Sequence, residues 1–111
     1  MSYNIEDFNL DFFSLKGKNA VVTGGNSGLG QAFALALAKA GANILVASYA
    51  LDKGETQKMI EDTGVKYEFI QADISKPGIP KQIVENCVNS LGSIDILVNC
   101  AGICICKDVL D

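Results

Sequence analysis

The sequence predicts an α/β fold built on a parallel sheet, and two features of its pattern support this. Short apolar runs, typical of buried parallel strands, alternate along the chain with longer segments of helical periodicity. The first run ends at Thr23, and closely spaced glycines follow before an alanine- and leucine-rich segment. This strand–turn–helix order is typical of the first unit of a parallel sheet with right-handed crossovers.

Four strands and three helices are predicted in alternation, with the strands at 19–23, 43–47, 66–71 and 94–98. The first helix is apolar or small on nearly every side, so we expect it to be mostly buried. Its main apolar face should include Leu29 and Phe33, and Gly41 should follow its C-terminus.

Capping signals place the other two helices. Asp52 and Glu55 have the spacing of a capping box at the start of the second helix. Ser75 is a candidate N-cap for the third helix, and Gly92 is expected to end it. The alternation then amounts to about half of a doubly wound sheet.

Composition excludes several classes of function. The 111 residues have a net charge of −4 and contain no histidine, and all nine basic residues are lysine. An acidic chain without arginine is a poor candidate for nucleic-acid binding. Missing histidine removes the usual base of serine or cysteine nucleophiles and the commonest metal ligand. We therefore predict neither a nucleic-acid partner nor a metal site.

The absence of a long apolar run and of a signal-peptide pattern favours a cytoplasmic protein. No run approaches the ~20 residues of a membrane span, and the acidic N-terminus lacks a signal-peptide pattern. The cysteines, at 87, 100, 104 and 106, are then expected to be reduced thiols with packing roles.

The glycine cluster is the strongest functional signal. Glycine adopts positive φ easily and has no Cβ to keep a ligand's phosphates at a distance. The free N–H groups at the start of the following helix, together with its dipole, form an anion site. Because Gly24, Gly28 and Gly30 lie between a strand and a helix, we predict a nucleotide-binding turn. A tight turn without a ligand is the alternative.

Three motifs at matching spacing resemble the classical short-chain dehydrogenase/reductase family. They are Thr23-Gly24-x-x-x-Gly28-x-Gly30, Asp73 after the third strand, and Asn99-Cys100-Ala101-Gly102 at the end of the fourth. The similarity extends from Phe13 to about Asp108. It implies the N-terminal half of a Rossmann-type, doubly wound parallel sheet and the chemistry of an NAD(P)-dependent oxidoreductase that transfers hydride between a secondary alcohol and nicotinamide.

A narrower resemblance favours one branch of the family. The segments Phe13-Ser14-Leu15-Lys16-Gly17-Lys18 and Asp73-Ile74-Ser75-Lys76-x-x-Ile79-Pro80 are similar to those of bacterial sugar-acid dehydrogenases of the gluconate 5-dehydrogenase or 2-deoxy-D-gluconate 3-dehydrogenase type. The implied substrate is a small alcohol or ketone, with a sugar acid as the narrower expectation, and the implied full-length form is a homo-oligomer.

The resemblance also implies roles for individual residues. The three glycines would approach the cofactor pyrophosphate, and Asn26, Ser27 and Leu29 line the same turn. Asp73 would accept a hydrogen bond from the adenine amino group beside the Ile74 N–H; the alternative is an acid at a helix N-terminus. The strand-end residues Asn99, Ala101 and Gly102 would pass near the nicotinamide ribose, or form only a turn.

The choice between NAD and NADP depends on the end of the second strand. NAD enzymes usually carry an acid about 20 residues past the glycines, to bind the ribose hydroxyls. Here that position is near Ser48 and Tyr49, and neither is acidic. No arginine is present to hold a 2′-phosphate either, and Lys53 is the nearest cation. We expect NAD, with NADP less favoured.

The resemblance places the family's catalytic serine, tyrosine and lysine beyond the fourth strand, so no catalytic residue is assigned in this chain. Tyr49-x-x-x-Lys53 matches the Tyr-x-x-x-Lys pattern in letters only, because it follows the second strand at the adenosine end. We expect residues 1–18 to form an arm and 19–111 an NAD(P)-binding domain incomplete at its C-terminus, inactive by itself. A self-standing nucleotide-binding module without catalysis is the main alternative. A Rossmann-type methyltransferase is disfavoured because it too needs an acid for the ribose.

Overall fold

A computed structural model describes residues 14–26 and 28–100 of the chain. Strands and helices alternate in the predicted order. The strands are β1 (Asn19–Thr23), β2 (Asn43–Ser48), β3 (Tyr67–Gln71) and β4 (Ile96–Asn99). The helices are α1 (Gly28–Lys39), α2 (Glu55–Glu61) and α3 (Ile79–Leu91). The predicted fold class, with four strands and three helices, is confirmed.

The four strands form one parallel sheet in the order β3-β2-β1-β4. In the register Val21 lies opposite Leu45 of β2 and Leu97 of β4. The chain moves outward from β1 to β3 and then crosses back to place β4 on the other side of β1. This reversal is the topological switch point at which open α/β sheets bind ligands.

Two apolar layers enclose the sheet, because alternate side chains of a strand point to opposite faces. On one face Ala20, Val22, Ile44 and Val46 pack with buried residues of α1 and α2. On the other face Val21, Leu45 and Ala47 pack against Ile83 and Cys87 of α3. The central strands are apolar on both faces for this reason.

The buried face of α1 differs from the predicted one. Its buried residues are Gly30, Ala34 and Ala38, whereas Leu29 and Phe33 are exposed. Because the helix is apolar nearly all round, periodicity could not identify the face that contacts the sheet. Small residues at four-residue spacing occupy it because they let the helix lie close to β1 and β2.

The two predictions of N-terminal caps, Asp52 for α2 and Ser75 for α3, are wrong. The helices α2 and α3 begin after Gly54 and Gly78, which have positive φ of 100° and 83° and provide no side-chain cap. Asp52 and Ser75 lie in the preceding turns. Gly92 follows α3 with φ of 102°, as predicted.

Candidate cofactor-binding site

The turn between β1 and α1 requires glycine for two different physical reasons. Gly28, at the first position of α1, has φ of +54°, which an L side chain rarely adopts. A Cβ on Gly30 would overlap the carbonyl oxygen of Gly24 and lie 2.7 Å from its carbonyl carbon. One glycine therefore permits the turn, and the other permits the close approach of helix and strand.

The start of α1 is suited to an anion. Its first backbone N–H groups have no acceptor within the helix, and no acidic side chain lies in its first turn. A Cβ built on Gly28 would have no atom within 4 Å, so the outer side of the turn is open. A phosphate group fits both the space and the charge of this turn.

A cleft of about 610 Å³ adjoins the glycine turn. It lies at the carboxyl ends of the strands, where the turns after β1, β2 and β3 meet the end of β4. The residues that line it are Gly24, Ala47, Ser48, Tyr49, Ala50, Ala72, Asp73, Ile74, Ser75 and Asn99. Six of the residues predicted for the site, from four separate segments, therefore share this cleft.

Ser48 and Tyr49 at the end of β2 differ sharply in exposure. The Ser48 residue is 8% exposed and its carbonyl accepts the Ala72 N–H, whereas Tyr49 is 75% exposed. The Tyr49 carbonyl accepts a hydrogen bond from the Gln71 side chain at 3.1 Å. The backbone here is fixed to the next strand, and the Tyr49 ring is free to contact a ligand.

Asp52, the nearest acid after β2, is hydrogen-bonded to groups outside the cleft. The Tyr67 hydroxyl donates to Asp52 Oδ2 at 2.6 Å, and the Gly54 N–H donates to Asp52 Oδ1 at 2.9 Å. Partial burial raises the pKa of Asp52, but the hydrogen bonds from Tyr67 and the backbone outweigh it and leave the pKa below its usual value. Asp52 is thus an ionised acceptor for its own loop, and it does not line the cleft.

Asp73 lies in the turn after β3, at one wall of the cleft. The hydroxyl and the N–H of Ser75 both donate to Asp73 Oδ1, at 2.5 and 3.0 Å. These hydrogen bonds lower the pKa of Asp73, so its carboxylate is charged at neutral pH. The local hydrogen bonds orient an acceptor at the cleft wall. The helix-terminus alternative does not apply, because α3 begins only at Ile79.

The end of β4 is connected to the glycine turn through Thr23. The Thr23 hydroxyl donates to Asn99 Oδ1 at 2.8 Å, and the Cys100 N–H donates to the Thr23 carbonyl at 3.2 Å. The contact holds Asn99 at the floor of the cleft. The predicted site residues Ser27, Ala101 and Gly102 lie outside the described residues, so this strand-end motif is seen only to Cys100.

The two remaining predicted site residues, Leu29 and Asn26, do not line the cleft. Leu29 is exposed in the first turn of α1. The Asn26 side chain donates to the Ala50 carbonyl at 2.7 Å, but its own Oδ1 is buried without a hydrogen-bond partner. Asn26 therefore connects the glycine turn to the loop after β2, and one of its polar atoms is unsatisfied.

Sequence reasoning missed Thr56, which contacts the turn from α2. Its hydroxyl donates to the Asn26 carbonyl at 3.3 Å and accepts from Gln31 Nε2 at 2.9 Å. A single threonine in a polar helix carries no recognisable signal, since only the packing of α2 on α1 brings it under the turn.

No metal site is formed by the described part of the chain, where no three Cys, Asp or Glu side chains come together. Cys87 and Cys100 are free thiols, and burial raises the pKa of Cys87. Cys104 and Cys106 lie outside the described residues. None of the described helices is both long enough and apolar enough to cross a membrane.

Comparison with known proteins decides the family. The sequence profile of the short chain dehydrogenase family matches residues 18–111. The chain belongs to the short-chain dehydrogenase family. The glycine turn and the strand-end motifs of this dehydrogenase chain fall within the matched range.

Several curated proteins named as oxidoreductases or dehydrogenases are similar to the chain. It is 57% identical over 108 residues to the uncharacterized oxidoreductase YgcW of Escherichia coli, covering 97% of this chain and 41% of that protein. It is 45% identical over 102 residues to L-rhamnose 1-dehydrogenase (NADP(+)) of Thermoplasma acidophilum, covering 89% and 39%. It is also 45% identical over 93 residues to 2-dehydro-3-deoxy-D-gluconate 5-dehydrogenase of Bacillus subtilis, covering 84% and 36%.

This short-chain dehydrogenase chain thus spans about two fifths of the length of these relatives. Among solved structures it resembles a short chain dehydrogenase from Mycobacterium paratuberculosis bound to NAD. The TM-score is 0.70 at 26% identity, and the match covers 76% of this chain and 36% of the other. The prediction that the chain belongs to a family that binds a nicotinamide cofactor is therefore confirmed, and so is the Rossmann-type fold. The resemblance to sugar-acid dehydrogenases is confirmed as well.

Proposed function

We propose that this chain is the cofactor-binding part of an NAD(P)-dependent oxidoreductase that transfers hydride between a secondary alcohol and nicotinamide. One observation carries the proposal: the open glycine turn, Tyr49, Asp73 and Asn99 surround one cleft at the switch point of the sheet. When bound, the dinucleotide supplies the hydride acceptor, and the residues described here hold and orient it.

Each part of the cleft suits one part of a dinucleotide. The N–H groups at the start of α1, beside Gly28, suit the pyrophosphate. Ser48 and Tyr49 suit the adenosine ribose, and the charged Asp73 with the neighbouring Ile74 suits adenine. Asn99, with Ala101 and Gly102, would face the nicotinamide side.

A glycine substitution tests this site. Gly28→Val would place a branched side chain in the open space of the turn, so we expect affinity for the dinucleotide to fall below detection in titration calorimetry. Gly64→Val is the matched control. Gly64 also has positive φ, of 94°, and a Cβ at this position would have no atom within 4 Å, but it precedes β3 at the other end of the sheet.

Both variants carry a similar backbone cost of about 1–2 kcal/mol, because a branched residue is forced into positive φ. Only the Gly28→Val variant should lose affinity for the dinucleotide. Equal affinity of the Gly28→Val variant and the control, measured in the natural protein that carries this sequence, would contradict the assignment.

We further propose that NAD is preferred over NADP. Within the part of the chain that the structure describes, no lysine lines the cleft, and the ribose end offers only the Ser48 hydroxyl and the Tyr49 ring. Tyr49 is exposed, so Tyr49→Arg can add a guanidinium without burying it. The ratio of kcat/KM for NADP to that for NAD should rise at least about tenfold, which is roughly one hydrogen-bonded charge pair. An unchanged ratio would show that residue 49 does not approach the 2′ position.

For substrate, we propose a sugar or sugar acid, on the strength of the two named relatives. The reaction can be followed by the absorbance of NADH. The three substrate classes to test are gluconate-type acids, aldoses such as L-rhamnose, and simple secondary alcohols. Preference for simple alcohols would contradict the sugar assignment. Cofactor binding without turnover of any of the three substrate classes would favour a nucleotide-binding module without catalysis.

A further inference from the structure

The side chain of Thr56 is polar and almost completely buried, at 1% exposure, and it lies on the face of α2 that meets α1. Its single hydroxyl makes two hydrogen bonds. It accepts from Gln31 Nε2 at 2.9 Å and donates to the Asn26 carbonyl at 3.3 Å. A buried hydroxyl is costly unless both its donor and its acceptor capacity are used, and here both are.

The two partners of this hydroxyl belong to the phosphate-binding turn and to the helix that follows it. Asn26 lies within the turn, and Gln31 follows it in the first turn of α1. One side chain from a different element therefore joins the two ends of the segment whose N–H groups face the open space. The Asn26 side chain adds a third connection, to the Ala50 carbonyl.

The turn contains two glycines in an uncommon backbone conformation. Gly24 and Gly28 both have positive φ, and glycines resist distortion less than other residues. The Oδ1 atom of Asn26 is already buried without a partner. Loss of the Thr56 hydroxyl would remove the hydrogen-bond partner of the Asn26 carbonyl and of Gln31 Nε2. The turn would then be expected to shift so that these two groups find other partners.

We propose that Thr56 is a positioning residue for the cofactor pyrophosphate: its hydroxyl sets the spacing between Asn26 and α1 across the glycine turn. The proposal rests on the proposed function, because it assumes that the turn binds the pyrophosphate. Thr56 touches no cofactor atom in this scheme. It acts only through the turn.

The test compares Thr56→Val, which keeps the shape and removes the hydroxyl, with Thr56→Ser, which keeps the hydroxyl. Both are made in the natural protein that carries this sequence. The probes are ADP-ribose, which contains the pyrophosphate, and adenosine, which does not. We expect Thr56→Val to weaken ADP-ribose about tenfold, equivalent to one buried hydrogen-bond network, and to leave adenosine within about twofold. Thr56→Ser should restore ADP-ribose binding.

Thr63→Val is the matched control. The Thr63 hydroxyl donates to the Ile60 carbonyl at 2.7 Å just beyond the C-terminus of the same helix, away from the turn. It should lower the melting temperature, as Thr56→Val does, without changing the affinity for either probe. In turnover assays Thr56→Val should raise the KM for the cofactor and leave kcat at saturation unchanged.

Three results would overturn the role of Thr56. They are unchanged ADP-ribose affinity in Thr56→Val, equal loss of both probes, and failure of Thr56→Ser to restore binding. Wild-type protein that binds neither ADP-ribose nor NAD would overturn the proposed function itself, and the role of Thr56 with it. The two failures are therefore distinguished by the wild-type measurement.

Discussion

The two ends of the parallel sheet differ in how far hydrogen bonds within the chain satisfy their polar groups. At the amino end, the buried Asn19 side chain donates to the Leu91 carbonyl at 3.1 Å and to Ser93 Oγ at 3.0 Å. It also accepts from Asn43 Nδ2 at 2.9 Å, and the Asn19 N–H donates to Asp95 Oδ2 at 2.9 Å. One asparagine thus joins β1 to β2 and to the loop before β4, with every side-chain polar atom satisfied.

At the carboxyl end Thr23 and Asp73 are also hydrogen-bonded within the chain, but other groups are open to solvent. The space beside Gly28 at the start of α1 is open, and Tyr49 is exposed. Exposed groups of this kind are available to a ligand. The Asn19 hydrogen bonds thus lie at the amino end, and the proposed cofactor site lies at the carboxyl end, where doubly wound folds place their ligand sites.

The largest expected effect on stability is at the carboxyl end, where Gly30 permits the close approach of α1 and β1. In Gly30→Ala the new Cβ would overlap the Gly24 backbone, which cannot move without opening the junction of α1 and β1. We expect a loss of about 3 kcal/mol in the free energy of unfolding, as for severe overpacking. Urea unfolding of this variant beside the wild type measures the loss. A difference below about 1 kcal/mol would show that the junction adapts.

A smaller loss is expected at the amino end. Asn19→Ala removes three side-chain hydrogen bonds in a buried position and should cost about 2 kcal/mol. Affinity for the dinucleotide should stay the same wherever the protein is folded. Asn86→Ala, which removes one exposed hydrogen bond on α3, is the control and should cost little. A change in cofactor affinity in Asn19→Ala would show that the two ends are coupled.

The smallest effect concerns Asp52, which lies between the two regions. Its pKa in the folded protein lies below the usual 3.8, so its charge contributes stability above that pH, and the contribution is lost as the pH falls through the folded pKa. Because Asp52 is partly exposed, Asp52→Asn should cost only about 1 kcal/mol at pH 7. The difference between wild type and variant should shrink as the pH falls below 3.8 and through the folded pKa. A difference independent of pH would mean that shape, and not charge, matters at this position.

Much of the fold could be predicted from the sequence, because strand pattern and glycine spacing report directly on backbone geometry. The bounds of β1 agree with the prediction, and β4 lies beside β1. The start of α2 was not predictable, since Asp52 has the spacing of a cap but its carboxylate turns to Tyr67, a residue fifteen positions away. The role of Thr56 was hidden for the same reason: it depends on which helix packs beneath the turn.

The small residues on the buried face of α1 have a consequence for electrostatics. Gly30, Ala34 and Ala38 fix how near the helix axis lies to the sheet and at what tilt. The field of a helix N-terminus fades within its first turn, so a bound anion responds to shifts of about an ångström. A bulky side chain at Ala38, two helical turns from any phosphate, would tilt the axis about Gly30 and turn the dipole away from its target. We therefore expect packing at Ala34 and Ala38 to affect the direction of the helix dipole at the proposed anion site.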